Sequence, residues 1–492
     1  MVDIELREGL RRQVQDMAKK KEFVISWISE HGKDLYPYSD AIWSFAELGC
    51  EELVSSRLLV ELLKRYGFST QVGVAGIPSA FVASYGEGKP VIGINCEYDA
   101  LPGLSQHPAP EKSPVVEGAP GHGCGHNLLG VGGIIAAVAI KEWLATTGVK
   151  GTIMVLGAPA EEICVGKPYM ARAGIFQGID AIIDWHPWTY NSANYDTCNA
   201  YFNVKYHFRG RAAHGNAPWE GRSALDSAIL MGHAIELLRE HIEPGHTDAA
   251  NTINYTFSDV GPEYPNVVPD RSTVWVIGRI TTSEEMEKII KRINRCAEAA
   301  SLATETSFKM EFITASHEKI PNKTLSSVLY QNLIEVGPPR FDPDEQAFAQ
   351  KMQRDLGVGE IGLVEDVMEF QEGASAVTDN SEYSWFAPFA MVWLTAAPAG
   401  VGWHNWQVAA SVRGAIGKKA MTMAAKVLGT SAVDLLSQPK IVQDGKREFH
   451  KRLAGRKYRS LIPKGVDPPI DINRKAMDKY RTLMEKHYEK PV

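Results

Sequence analysis

Between Pro78 and Trp188 the chain alternates short apolar runs with one long apolar segment, and this alternation constrains the fold more than any other feature. PSAFVASYG and PVIGINCEYDALPG read as strands, and VGGIIAAVAIKEWLATTG as a helix about long enough to cross a sheet. GTIMVLGAPAEE and GIDAIIDWHPW are two further strands. Runs with no polar face must be covered on both sides, as in a sheet built from strand–helix crossovers. The expected class is α/β, with a main domain whose mostly parallel or mixed sheet is covered by helices on both faces. The first ~70 residues read as amphipathic helices added to that domain.

From about Tyr201 the texture changes. YFNVKYHFRGRAAH alternates apolar and polar residues as a half-buried strand does. A helix (SALDSAILMGHAIELLREH), the strands NTINYTFSDVG and STVWVIGRITT, and the helix EEMEKIIKRINRCAEAASLA follow. This β-α-β-β-α order predicts an α+β sandwich inserted over residues 202–320. SWFAPFAMVWLTAAPAG and VAASVRGAIGKKAMTMAAKVLG then resume the first pattern. The expected division is 1–201 with 321–432 as the main domain, 202–320 as the insertion, and 433–492 as a basic tail packing on the main domain. A chain of 492 residues agrees with two or three such units.

Lys plus Arg number 52 and Asp plus Glu 59, for a net charge of -7, with no basic stripe to collect phosphates. Nucleic acid is therefore not an expected partner. The N-terminus is charged and lacks the apolar run of a signal peptide. No uninterrupted apolar stretch approaches the ~18–20 residues of a membrane span. The 6 cysteines follow no framework spacing, which fits reduced thiols in a cytoplasm. The expectation is a cytoplasmic protein without membrane attachment.

The loop GAPGHGCGHNLLG places Cys124 and His126 one residue apart, so one turn can aim both at a shared point. Thiolate and imidazole are good zinc ligands, and imidazole also suits manganese or cobalt. A buried cysteine beside a helix-capping histidine would give the same short pattern. The neighbouring strand ends weigh against that reading. Glu97 and Asp99, the adjacent Glu161 and Glu162, His186, and the distant His404 all fall where an α/β sheet presents functional groups. Buried carboxylates are costly unless paired or bound to a metal. A structural zinc finger would need further Cys/His pairs at short spacing, which are missing, and His122 reads as a loop residue rather than a third ligand. Trp185, Trp188, Trp219, Trp385, Trp403 and Trp406 lie near these motifs, either as an aromatic pocket or as core and interface filling. Dinucleotide-binding, G-x-S-x-G and deaminase signatures are absent from the sequence.

EYDALPG, GHGCGHNLLG, APAEE, DWHPW, RGRAAHG, PNVVPD and WHNW occur in that order between Glu97 and Trp406, within a similarity that runs from about residue 35 to the tail. Together they resemble the M20 metallopeptidase family, in the amidohydrolase branch with a Cys-Gly-His ligand pair. The resemblance implies that the main domain is catalytic and that the insertion is a lid and dimerisation domain. It implies two divalent metal ions, Zn2+ or Mn2+ with Co2+ also compatible, on Cys124, His126, Glu162, His186 and His404. Glu161 becomes the general base and Asp99 the carboxylate that orients a ligand histidine. His214 becomes the lid histidine stabilising the tetrahedral oxyanion, in cis or in trans. Asn266 and Arg279 become contacts to a substrate carboxylate. Peptidases of the family often carry histidine where Glu97 stands, and the Cys-Gly-His branch does not.

The implied activity is hydrolysis of the amide bond of an N-acyl or N-aroyl amino acid with a free carboxylate. Substrates of the p-aminobenzoyl-glutamate type or short dipeptides fit. The implied assembly is a homodimer, with room for a related second subunit. Two alternatives stay open: hydrolysis of an aromatic amine or N-carbamoyl compound on the same site, and a metal-binding scaffold without catalysis.

Overall fold

The computed structural model describes residues 2–246 and 249–491. Its larger part is organised by a 6-stranded mixed sheet in the order Ser69–Val72, Phe81–Glu87, Gly151–Gly157, Val91–Cys96, Ala181–Trp188, Phe389–Thr395. The last four strands of that order are mutually parallel, and Phe81–Glu87 runs against both its neighbours. Both faces are buried. Ile183 packs into one apolar core and its neighbour Ile182 into another, because successive side chains leave a strand on opposite sides. The first core contains the helices Leu53–Arg65, His126–Thr147 and Ala415–Ser437, and the second contains the short helix Gly166–Arg172.

The helix His126–Thr147 is more apolar than the broken hydrophobic run leads one to expect. Its best 18-residue window has a mean hydropathy of 1.7, enough in length and composition for a membrane span. That window is 83% buried inside the protein, wedged between the sheet and the helices Val2–His31 and Ala415–Ser437. A helix with neighbours all round must be apolar all round. Gly130 sets how closely it lies on the sheet, since a Cβ there would stand 2.5 Å from the Glu97 carbonyl oxygen.

The second sheet has 4 antiparallel strands in the order Thr252–Asp259, Arg271–Ile280, Ala200–Arg209, Ser307–Ser316. The helices Ala224–Arg239 and Ser283–Ala303 share a core with it. Ser307–Ser316 is an addition to the expected β-α-β-β-α order. Its first half is exposed or half-buried and carries Lys309 and Glu311, so it lacks the apolar signature of its neighbours. This strand also ties the two sheets together, because Thr314 Oγ1 donates to the Cys164 carbonyl at 2.6 Å.

The chain beyond Ser437 forms the helices Pro439–Leu453 and Arg474–Met484. The first packs on the helices Lys323–Val336 and Ala415–Ser437, and the second reaches back to the N-terminal helices, where Asn473 Nδ2 donates to the Gly49 carbonyl at 2.9 Å and Arg481 pairs with Glu51 at 2.9 Å.

Replacing Gly130 with Ala drives a methyl into the Glu97 carbonyl and should cost about 1–3 kcal/mol. Urea denaturation measures the loss. An unchanged midpoint would mean that the helix can shift freely off the sheet.

Candidate metal centre

The parallel strands deliver their polar ends to one place. Val91–Cys96 runs out into buried Glu97 and Asp99. Gly151–Gly157 leads through Ala160, at φ 56°, into a tight turn carrying Glu161 and Glu162. Ala181–Trp188 bears His186 near its end. Gly125, at φ 77°, makes the left-handed step into the helix that starts at His126, which presents Cys124 and His126 together. His404, at φ 62°, is stitched to this loop by its N–H on the Gly123 carbonyl at 3.1 Å.

Strained non-glycine backbone recurs here, at Ala160, Cys164 (φ 52°) and His404. The Ala160 N–H is held by buried Glu52 Oε1 at 2.7 Å, and the Cys164 N–H by the Glu161 carbonyl at 2.7 Å.

Three overlapping donor sets result: Cys124/Glu162/His404, Cys124/His126/His186 and Glu97/His126/Glu161. Within each, the donor atoms lie within 4.8 Å of one another. Cys124 Sγ is 3.5 Å from His186 Nε2, and His404 Nε2 is 3.2 Å from Glu162 Oε2. Asp99 supports both sides: Oδ1 meets His126 Nδ1 at 2.8 Å, and Oδ2 accepts the Glu162 N–H at 3.0 Å. His126 therefore turns Nε2 into the cluster. That buried nitrogen, and buried Glu162 Oε1, have no hydrogen-bond partner among the described residues. Orphaned donors of this kind fit a cation, and the mix of thiolate, imidazole and carboxylate fits a transition-metal ion.

The cluster draws positive charge: Cys124 and then Glu162 raise His404 to about 11, and against burial Cys124 and Asp99 push His126 well above the usual imidazole range. Burial, and then His126 beside it, hold the His186 imidazole down at about 4, in its ligating neutral form. Burial, Glu97 and Asp379 push the Glu161 carboxyl well above the usual carboxylate range. His122 is held apart, with Nε2 against the Ile42 carbonyl at 3.0 Å, and burial lowers it to about 3.

A cavity of about 330 Å³ opens on the cluster. Cys124, Glu161, Glu162, His186 and His404 line it on one side, and Arg279 and Tyr201 of the second sheet on another. Trp188, Trp393 and Trp403 form a wall, with ring centroids 5.1 Å apart for Trp188–Trp393 and 4.5 Å for Trp188–Trp403. The other tryptophans divide: Trp185 is core, its Nε1 donating to the Leu129 carbonyl at 3.0 Å, while Trp219 is 72% exposed. Trp385 packs in a separate small cluster, and Trp406 begins a short helix.

His214 and Asn266 are not among the residues lining the cavity. They lie together in the second unit, where the Gly215 N–H donates to the Asn266 carbonyl at 2.9 Å. His214 is exposed, its Nδ1 accepting the Asn216 N–H at 3.0 Å.

Beneath the cluster lies a buried network that the motifs do not reveal. Lys167 Nζ donates to Glu97 Oε1 at 2.7 Å and to Asp379, and Asn95 links Glu97 to Asp184. Asn380 donates to Asp184, and the Tyr383 hydroxyl to Asn95. Burial, followed by the nearby Glu97, brings Asp184 up to about 7. The signal in the sequence was slight: one lysine in the apolar stretch VGKPYMA, and the polar run TDNSEYS before an apolar strand.

Residues 199–305 match the peptidase dimerisation domain of the M20 family. The chain is 35% identical over 460 residues to a component chain of the p-aminobenzoyl-glutamate hydrolase of Escherichia coli, covering 87% of this chain and 95% of that protein. It is 28% identical to the Xaa-Arg dipeptidase of Mus musculus, with 87% and 91% covered. Among solved structures, a dinuclear metal-binding peptidase of the M20 family from Bacillus subtilis shares the fold, with a TM-score of 0.53 and 16% identity. That match covers 84% of this chain and 99% of the other.

Removing the Asp99 carboxylate as Asp99→Ala frees His126 to rotate and unties the Glu162 turn. Zn2+ affinity, measured by chelator competition, should fall about 10–100-fold. Wild-type affinity would show that the imidazole is oriented by other contacts.

Proposed function

Because the chain belongs to the M20 peptidase family, whose members are hydrolases acting on C–N bonds, we propose that it is a dinuclear metal-dependent amidohydrolase of N-acyl or N-aroyl amino acids. The observation that carries this reading is the convergence of five donor side chains beside Glu161, facing Arg279 across one cavity. Cys124, His126, Glu162, His186 and His404 would hold the two ions. When bound, the ions supply Lewis-acid polarisation of the scissile carbonyl and lower the pKa of water. Zn2+ is favoured by the Cys124 thiolate, and Mn2+ suits the remaining donors.

Glu161 takes a proton from the attacking water and returns it to the departing amine nitrogen. A buried carboxyl raised above its usual range holds a proton more firmly than an exposed one, which suits carrying it from water to nitrogen. Arg279 receives the substrate's free carboxylate, which its planar fork can bind in bidentate fashion. Trp188, Trp393 and Trp403 offer flat apolar faces to the acyl or aroyl group. The E. coli relative is named for p-aminobenzoyl-glutamate, a compound with an aromatic ring at one end and carboxylates at the other, and this cavity has walls for both.

In this reading residues 1–201 and 321–432 form the catalytic domain, 433–492 pack on it, and 202–320 form the lid and dimer face. The protein acts in the cytoplasm as a homodimer. Because His214 and Asn266 lie away from the cavity of their own chain, the partner subunit's His214 would complete the oxyanion contact and the partner subunit's Asn266 would assist Arg279.

Glu161→Gln should retain its metal and lose about 10²–10⁴-fold in kcat on p-aminobenzoyl-glutamate. Metal analysis and steady-state kinetics check this together, and a wild-type kcat would rule out Glu161 as the base.

Arg279→Ala should raise KM about 10–100-fold for N-benzoyl amino acids, the loss of a charge-assisted contact. The corresponding N-benzoyl amino-acid amides should be unaffected. Equal effects on acids and amides would remove Arg279 from the carboxylate site.

A further inference from the structure

The five ligands of the dinuclear reading account for two of the three donor sets, Cys124/Glu162/His404 and Cys124/His126/His186. The third, Glu97 with His126 and Glu161, is surplus to them. Its carboxylate is held by a built arrangement. Glu97 is 1% exposed, and two donors reach the same oxygen, Lys167 Nζ at 2.7 Å and Asn95 Nδ2 at 2.8 Å on Oε1. Oε2 is thereby turned to His126 Nε2, 3.4 Å away, the nitrogen that has no hydrogen-bond partner among the described residues.

The clamp is rigid from behind. Lys167 has no exposed side-chain surface, and Asp379 grips it twice, Oδ1 on Nζ and Oδ2 on its backbone N–H at 3.1 Å. A fully buried lysine is rare unless paired, and breaking such a pair is strongly destabilising. Lys167 therefore keeps both carboxylates engaged, and a carboxylate saturated on one oxygen offers the other as a single ligand atom.

We propose that Glu97 is a further protein ligand, through Oε2, of the ion carried by His126, with Lys167 as the positioning residue that holds it in that pose. The inference rests on the dinuclear reading above. It raises the count of oxygen donors at that ion, which favours Mn2+ relative to Zn2+.

The test is chelator competition with Mn2+ and Co2+ on the wild-type protein, Glu97→Gln and Lys167→Met, together with visible absorption of the Co2+ forms. Glu97→Gln is isosteric and keeps an acceptor for Lys167 and Asn95. It should bind one equivalent with wild-type affinity, bind the other about 10–100-fold more weakly, and show an altered Co2+ band. Lys167→Met should weaken the same equivalent by a smaller factor. Two equivalents at wild-type affinity with an unchanged Co2+ spectrum in Glu97→Gln would overturn the proposal, as would equal weakening of both equivalents. A wild-type protein that takes up fewer than two equivalents would instead overturn the dinuclear reading, and this inference with it.

Discussion

Negative charge gathered at one end of an apolar sheet is the constraint on which the structure depends. Glu97, Asp99, Asp184 and Asp379 are all buried, with Glu161 and Glu162 beside them. An unpaired carboxylate in such a place is strongly unfavourable. The described residues answer with hydrogen bonds, with Lys167 and with imidazoles, and they still leave His126 Nε2 and Glu162 Oε1 without partners. Bound cations would complete that balance. The sheet, the helix pressed on it at Gly130 and the left-handed turns all bring the ends of distant strands close enough to share them.

The backbone is strained to the same end. Ala160, Cys164 and His404 occupy the left-handed region at a cost of about 1–3 kcal/mol each. Hydrogen bonds fixed elsewhere offset it: Glu52 holds the Ala160 N–H, the Glu161 carbonyl holds that of Cys164, and the Gly123 carbonyl holds that of His404. Glu52 is itself fully buried, and burial, then Asp99, pushes its carboxyl well above the usual range. The geometry of the Glu161–Glu162 turn is thus supported from the N-terminal helical layer, by a side chain that does not itself line the cavity.

Parts of this were legible in the sequence and parts were not, for physical reasons. An apolar run that stops abruptly at a carboxylate or histidine is visible because strand and polar end are contiguous, and Glu97, Asp99, Glu161, Glu162 and His186 were readable in that way. Lys167 was not, because its partners lie 70 and 212 positions away and only the fold brings them together. The strand Ser307–Ser316 escaped because its outer half carries charge like a surface loop. His214 and Asn266 were readable as motif residues, but their position away from the cavity of their own chain depends on how the second sheet is set. The tryptophans read as one group and divide between cavity wall, core and surface.

The hydrogen bond from Thr314 to the Cys164 carbonyl fastens the second sheet to the turn that carries Glu161 and Glu162. Cys164 closes the turn that aims Glu161 and Glu162, and Thr314 sits on the strand by which the chain leaves that sheet. The neighbouring Ile313 carbonyl accepts the Tyr169 hydroxyl at 2.7 Å, so the same strand holds both the turn and the short helix that follows it. A displacement of the second sheet would thus be felt at the backbone that sets the pose of Glu161 and Glu162.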